Sequence, residues 1–317
     1  MSSNPKSSSS LINYLLLCSI GFFWGFQYLL TKIALESFSI GMITLSRIVL
    51  GFILLTPWLF IIESKEKSRP ILKNYFWKYL PVFILIGFLE QTLPWSLVAW
   101  AEQQIPSSFT AILIGTVPLF ATFLEVFFIN DHEITTEKTV AIIIGLLGIF
   151  VLVGPKMFGV NIIDSLSLSL PVLPVCAMLL AAVSFSISIL LIKVKLTPKL
   201  SPIKSGHGIF TGALVTSLPL YFLSTTSWKT SCFFYSNSAL ISLLLLGIIS
   251  SGGIVYLLYV MLISKAGPSF ASAANYISLT VATFIGLTFR GERLSFNVIG
   301  GALLVLVALW LLRDKRV

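Results

Sequence analysis

Apolar residues run in stretches of about twenty along nearly the whole chain, parted by short polar connections. A helix that crosses the ~30 Å hydrocarbon layer needs about 20 such residues. The runs are too long and too continuous for the alternating strands of a barrel. Helices are therefore predicted near residues 12–34, 39–62, 78–99, 106–129, 138–155, 171–193, 205–225, 237–263, 268–289 and 295–312. The fifth is short, and the stretch from Met157 to Leu170 is only weakly amphipathic.

The pattern repeats. Ser269-Phe270 copies Ser108-Phe109 at an offset of 161 residues, and the same offset carries Lys193 onto Lys32 and Gly212 onto Gly51. One register shared by three segments predicts two related halves, 12–155 and 171–313, within a single membrane domain over 1–317. Five helices per half is an odd number, so the second half enters the membrane from the side opposite to the first. The expected fold is an all-α integral membrane protein, with ten transmembrane helices arranged as two inverted five-helix repeats. Such repeats suit alternating access, in which the two halves exchange conformations around a central site. Duplication that merely enlarges a bundle is the competing reading.

Composition sharpens this. Hydrophobic residues make up 56% of the 317 and charged residues 10%, and the mean hydropathy is +0.98, more apolar than a water-soluble surface of this size allows. The net charge of +9 comes from cations lying between the apolar runs, so it describes loops facing a lipid bilayer and not a nucleic-acid-binding patch. With the N-terminus inside, fifteen of the 21 Lys and Arg residues fall on the cytoplasmic side and four (Lys156, Lys229, Arg290 and Arg293) on the other; Lys32 and Arg47 lie within helices. Cationic loops stay cytoplasmic, so both termini are expected there. MSSNPKSSSS has no convincing cleavage site and reads as a polar tail, not a removable signal. Cys18, Cys176 and Cys232 have no metal-ligand spacing, and the two in apolar segments read as packing residues. Neither a metal nor a cofactor is expected.

Two charges inside predicted spans stand out, since ionisable groups in a bilayer are costly and are normally paired or functional. Arg47 and Glu90 lie at similar depth in helices 2 and 3, close enough to meet. Three readings follow: an ion pair locking the two helices; a site where a zwitterion gives its carboxylate to Arg47 and its amine to Glu90; or a proton site at Glu90. Trp24, Gln27, Tyr28 and Thr31 share one face of helix 1, which suits a cavity wall or a helix contact. Gln91 and Trp95 of helix 3, Tyr256 and Tyr259 of helix 8, and Asn275 and Tyr276 of helix 9 extend the set. Aromatic walls with a few placed polar groups describe a pocket for an amphipathic organic molecule better than one for a bare ion. Pro94, Pro118 and Gly252-Gly253 are candidate hinges or static kinks. Lys32 and Lys193 are expected to snorkel to opposite surfaces, Glu125 to reach water, and His207 to lie at an interface.

These residues resemble the EamA-type branch of the drug/metabolite transporter superfamily over nearly the whole chain. The likeness is carried by Trp24-Gly25 followed by Lys32, by Arg47, by the Ser108 to Pro118 run, and by Gly291-Glu292-Arg293-Leu294-Ser295 leading to Gly300. The first charged loop departs from it, with Asn130-Asp131-His132-Glu133 in place of Gly-Glu-Arg. The resemblance implies a bundle with a central cavity lined by the first, third and fourth helices of each half, in a bacterial inner membrane. It implies transport, often outward, of amino acids, other small metabolites or drugs.

The leading expectation is thus a secondary transporter, an exporter of small organic metabolites such as amino acids or related zwitterions, with a coupled proton as an open alternative. No GxxxxGK[ST] loop occurs, so nucleotide hydrolysis by this chain is not expected. The rival is a membrane-embedded enzyme acting on lipid-like substrates, but two histidines far apart supply no catalytic constellation. A receptor-like or purely structural protein is the third class.

Overall fold

The computed structural model describes residues 5–65, 72–128, 136–157, 171–225, 236–250, 253–289, 291 and 296–312. Asn130-Asp131-His132-Glu133, Lys229, Cys232, Gly252, Arg290 and Glu292-Arg293-Leu294-Ser295 lie outside these residues, as does the basic C-terminal tail. Every described element is helical. In chain order these are α1 (Pro5–Ala34), α2 (Ile40–Lys65), α3 (Leu72–Gly87), α4 (Leu93–Glu102), α5 (Ser107–Ile114), α6 (Val117–Phe128) and α7 (Thr136–Met157). Then come α8 (Val172–Leu191), α9 (Pro202–Thr225), α10 (Asn237–Leu245), α11 (Ile254–Ala266), α12 (Pro268–Ser272), α13 (Ala274–Phe289) and α14 (Phe296–Leu312). Among the described residues, eight spans are long and apolar enough to cross a membrane, whereas α7 and α14 show shorter apolar stretches, Thr139–Gly148 and Ile299–Ala308. The outward faces are apolar too, as with Trp58, Leu146, Phe150, Leu173 and Phe284. That is an all-α membrane protein, its greasy exterior matched to lipid tails.

Several spans consist of two helices joined by a local defect, and prolines account for two of these. Pro94 has no N–H to give to the carbonyl of Glu90. The chain widens before it into a π-helical turn, Phe88–Thr92, in which the Leu93 N–H bonds Phe88 O, one residue farther back than in an α-helix. The carbonyl of Leu89, left over by this shift, accepts from the Ser184 hydroxyl of α8 at 2.7 Å. Pro118 acts similarly between α5 and α6: it cannot serve Ile114 O, and the turn at Gly115-Thr116 is held by the Thr116 hydroxyl on Leu113 O at 2.6 Å. Further π-helical turns lie at Ile192–Leu196 and Leu246–Ser250. Gly267, with φ of +85°, lets the chain leave α11 and enter α12 in a conformation that a side chain resists.

Packing follows a regular plan. α1 lies against α13 and α11, α8 against α6 and α4, α2 against α9, α5 against α13, and α7 against α14. One core cluster runs through the middle, including Tyr28, Phe83, Trp95, Phe109, Phe210, Tyr256 and Tyr259. At the α3–α9 crossing the backbones nearly touch: a Cβ on Gly212 would run into the Phe83 carbonyl, and one on Gly87 into the Ala213 amide. Cys18 and Cys176 prove to be exposed on the outward face, not packed inside, because the apolar face of each helix is also its lipid face.

The α3–α9 crossing yields a test. Gly212→Ala is expected to destabilise the protein in detergent by the ~1–3 kcal/mol typical of overpacking. Gly206→Ala, whose Cβ meets only Leu55 Cδ1 at 3.5 Å, is expected to stay within about 0.5 kcal/mol of the parent. Equal melting midpoints for the two variants would remove the close crossing as an explanation.

Candidate functional site

The defect in the third span shapes the interior. Glu90 and Gln91, adjacent in its π-helical turn, are both buried and both face inward. They meet a cavity with an empty volume of about 420 Å³, counting the part open to solvent. α1 supplies Trp24, Gln27 and Tyr28; the third span supplies Glu90, Gln91 and Trp95; α11 supplies Tyr256 and Tyr259; and α13 supplies Asn275. Ile114, Val117, Phe185 and Ile189 complete the lining. Nine of the eleven candidates from sequence thus surround one space. Arg47 and Tyr276 do not line it: Arg47 stands behind Trp95, and Tyr276, one residue on from Asn275, is turned about 100° from it and is half-buried against the core.

The walls are mostly rings. Trp24 meets Tyr259 edge-on at 4.7 Å, Trp95 meets Phe185 at 5.3 Å, and Tyr256 abuts Phe210 at 5.2 Å. Among them stands one carboxylate, Glu90, which accepts a hydrogen bond from the Ser188 hydroxyl of α8. Ser188 belongs to a run, Ser184, Ser186 and Ser188, that is wholly buried. Ser184 donates to Leu89 O; Ser186 reaches both Val117 O at 2.9 Å and Ala182 O of its own helix at 2.8 Å; Ser188 reaches both Glu90 and Phe185 O at 2.7 Å. The apolar stretch of α8 therefore docks by the Ser184 hydroxyl onto the defect before Pro94, and by Ser186 next to Pro118.

Arg47 and Glu90 have separate surroundings and are not joined as a pair. The Arg47 guanidinium stacks 3.9 Å over the Trp95 ring and donates through Nη2 to Gln27 Oε1 at 3.3 Å. The carboxylate that acts on it electrostatically is Glu102, at the end of α4. Sequence reading passed over Glu102 because the third helix was predicted to end at 99, whereas the span runs to Glu102. Ser188 was missed as well, although three serines at alternate positions in an apolar run were the available signal.

Other candidates lie outside the cavity. Lys193 pairs with Glu125 at 2.9 Å, joining the end of α8 to α6, while Lys32 donates to Ile105 O at 3.0 Å. Thr31 bonds back to Gln27 O at 2.8 Å. His207 is buried, not interfacial: it tilts against Phe52 at 4.8 Å and shares a hydrogen bond with Thr56 at 3.2 Å, because α9 presses this face onto α2.

A helical membrane bundle enclosing an aromatic, sparsely polar cavity defines the class to which this chain belongs. The family follows from comparison: the EamA-like transporter family model matches residues 11–154 and again 172–313, and the chain belongs to that family, a transporter of the drug/metabolite type. It is 22% identical over 290 residues to an uncharacterized transporter, YoaV, of Bacillus subtilis (strain 168), with 91% of this chain and 92% of that one covered. A solved crystal structure of a protein aligns with TM-score 0.62 at 15% identity, over 96% of both chains, a likeness of fold.

The Glu90–Ser188 contact generates a prediction. Ser188→Ala leaves a buried carboxylate without that donor and is expected to cost about 1–3 kcal/mol of stability. In Glu90→Gln, which carries no such charge, the same change is expected to cost clearly less. Thermal unfolding of the four proteins in a double-mutant cycle measures the difference, and strict additivity would show that the two groups do not interact.

Proposed function

We propose that the protein is a secondary carrier that moves small organic metabolites, such as amino acids and related zwitterions, outward by alternating access. The observation that carries this is the cavity: aromatic walls contributed from both ends of the sequence, enclosing Glu90, Gln27, Gln91 and Asn275, suit an amphipathic solute with a charged end. In this reading the chain is one membrane domain of ten crossings, with 12–155 and 171–313 as inverted five-helix repeats, and α7 and α14 as the fifth and tenth. Two matches of one family model to successive segments support it.

The packing plan supports it as well. Exchanging the first span with the sixth, the second with the seventh, and so on, turns the contact of α1 with α13 into that of α8 with α6. It also turns α1 with α11 into α8 with α4 and α5 with α13 into α12 with α6, and leaves α2–α9 and α7–α14 as they are. The third and eighth spans, which correspond, each carry a π-helical turn, at Phe88–Thr92 and Leu246–Ser250. A site between two such modules is reached from either side in turn when the modules rock. The lining holds one carboxylate and no lysine, cysteine or histidine, which favours binding over lipid-modifying catalysis. In this reading the cation-rich loops and both termini lie in the cytoplasm, and membership of the family is in keeping with a bacterial inner membrane.

Counterflow in proteoliposomes loaded with amino acids and related zwitterions, with and without a pH gradient, tests the proposal. Saturable accumulation is expected. Glu90→Gln is expected to lower its rate at least tenfold at subsaturating solute, since about 1.4 kcal/mol is lost with a single charged contact. If no member of the panel exchanges, or if Glu90→Gln keeps the full rate, the amino-acid reading is overturned.

A further inference from the structure

Two amides face the cavity, and each is held by the group behind it. A guanidinium only donates, so the Gln27 atom that meets Arg47 Nη2 at 3.3 Å is the amide oxygen, and the N–H groups of Gln27 remain for the cavity. A peptide carbonyl only accepts, so the Asn275 atom that meets Ser272 O at 3.0 Å is the amide nitrogen, and the Asn275 oxygen remains for the cavity. The two amides are thus locked in opposite senses. Glu90, steadied by Ser188, stands among the acceptors. Arg47, 2% exposed and stacked on Trp95, does not line the space, so its charge reaches a solute through Gln27.

We propose that Arg47 is a positioning residue acting through Gln27. It turns that amide so that one wall of the cavity offers N–H donors backed by positive charge and reads a carboxylate, while Asn275 and Glu90 read an ammonium group. This rests on the carrier reading and assigns the polarity of its site. Arg47 then has no direct contact with the solute, in contrast to a direct carboxylate clamp. Lysine, also a donor only, preserves the sense of the Gln27 amide; methionine releases it.

The test uses four matched probes in proteoliposomes: L-leucine, its methyl ester, isopentylamine and isocaproate. For the parent protein L-leucine is expected to have the lowest KM of the four. Arg47→Met is expected to raise the KM for L-leucine about tenfold or more, the worth of a hydrogen bond to a charged group, while the KM for the methyl ester shifts less than about twofold. Arg47→Lys is expected to restore most of the L-leucine affinity. Gln27→Glu keeps a partner for Arg47 but replaces the donors with a carboxylate. It is expected to lose L-leucine while retaining isopentylamine, and it decides the matter if Arg47→Met does not fold. Equal loss of L-leucine and its ester in Arg47→Met, or undiminished L-leucine transport in Gln27→Glu, overturns the proposal alone. Transport of none of the four by the parent overturns the amino-acid reading beneath it, and this proposal with it.

Discussion

A backbone carbonyl set free inside an apolar bundle has no water to turn to, and most of the architecture follows from that constraint. Lipid surroundings force every peptide group to find its partner within the protein. Pro94 and Pro118 each break the helical ladder: the carbonyl left over at Leu89 accepts from Ser184 across the interface, and beside Pro118 the Ser186 hydroxyl reaches Val117 O while Thr116 bonds Leu113 O locally. The breaks are useful because they are answered. The widened turn at Phe88–Thr92 carries two polar side chains, Glu90 and Gln91, that line the cavity.

The same economy governs the charged groups. Glu90 has Ser188, Arg47 has Gln27 and the face of Trp95, and Lys193 has Glu125. In Lys193–Glu125 the lysine side chain is 36% accessible while the glutamate side chain is 9% accessible, so the pair is only partly exposed. The deeper contacts define shape: they fix which face of an amide or carboxylate the cavity presents. Aromatic edges fill the space between, giving broad apolar walls around few polar points.

Much of this was legible in the chain. Hydrophobic run length located every helical span to within several residues, since crossing a bilayer demands length before anything else. Helix periodicity put Trp24, Gln27 and Tyr28 on one face, and all three line the cavity. Periodicity failed where the helix is irregular or turns a neighbouring residue away. It paired Tyr276 with Asn275, although adjacent positions on a regular helix diverge by about 100°. Depth counting brought Arg47 near Glu90 but carried no information on rotation about the helix axis, and Arg47 turns to Gln27 and the Trp95 ring instead. The serines of α8 were invisible for another reason: their partners, Leu89 O, Val117 O and the Glu90 side chain, lie on other helices, a relation that only the fold creates. His207 looked superficial near a helix end, yet α2 covers it.

The glycine crossing of α3 and α9 has a mechanical meaning. Most helix contacts are cushioned by side chains that can slide or change rotamer, but where Gly212 meets the Phe83 backbone, as where Gly21 meets Ala274 O and Gly148 meets Val305 N, there is no cushion to compress. Such a contact resists translation yet leaves swivelling free. For any displacement of one helix against the other, it is the fulcrum.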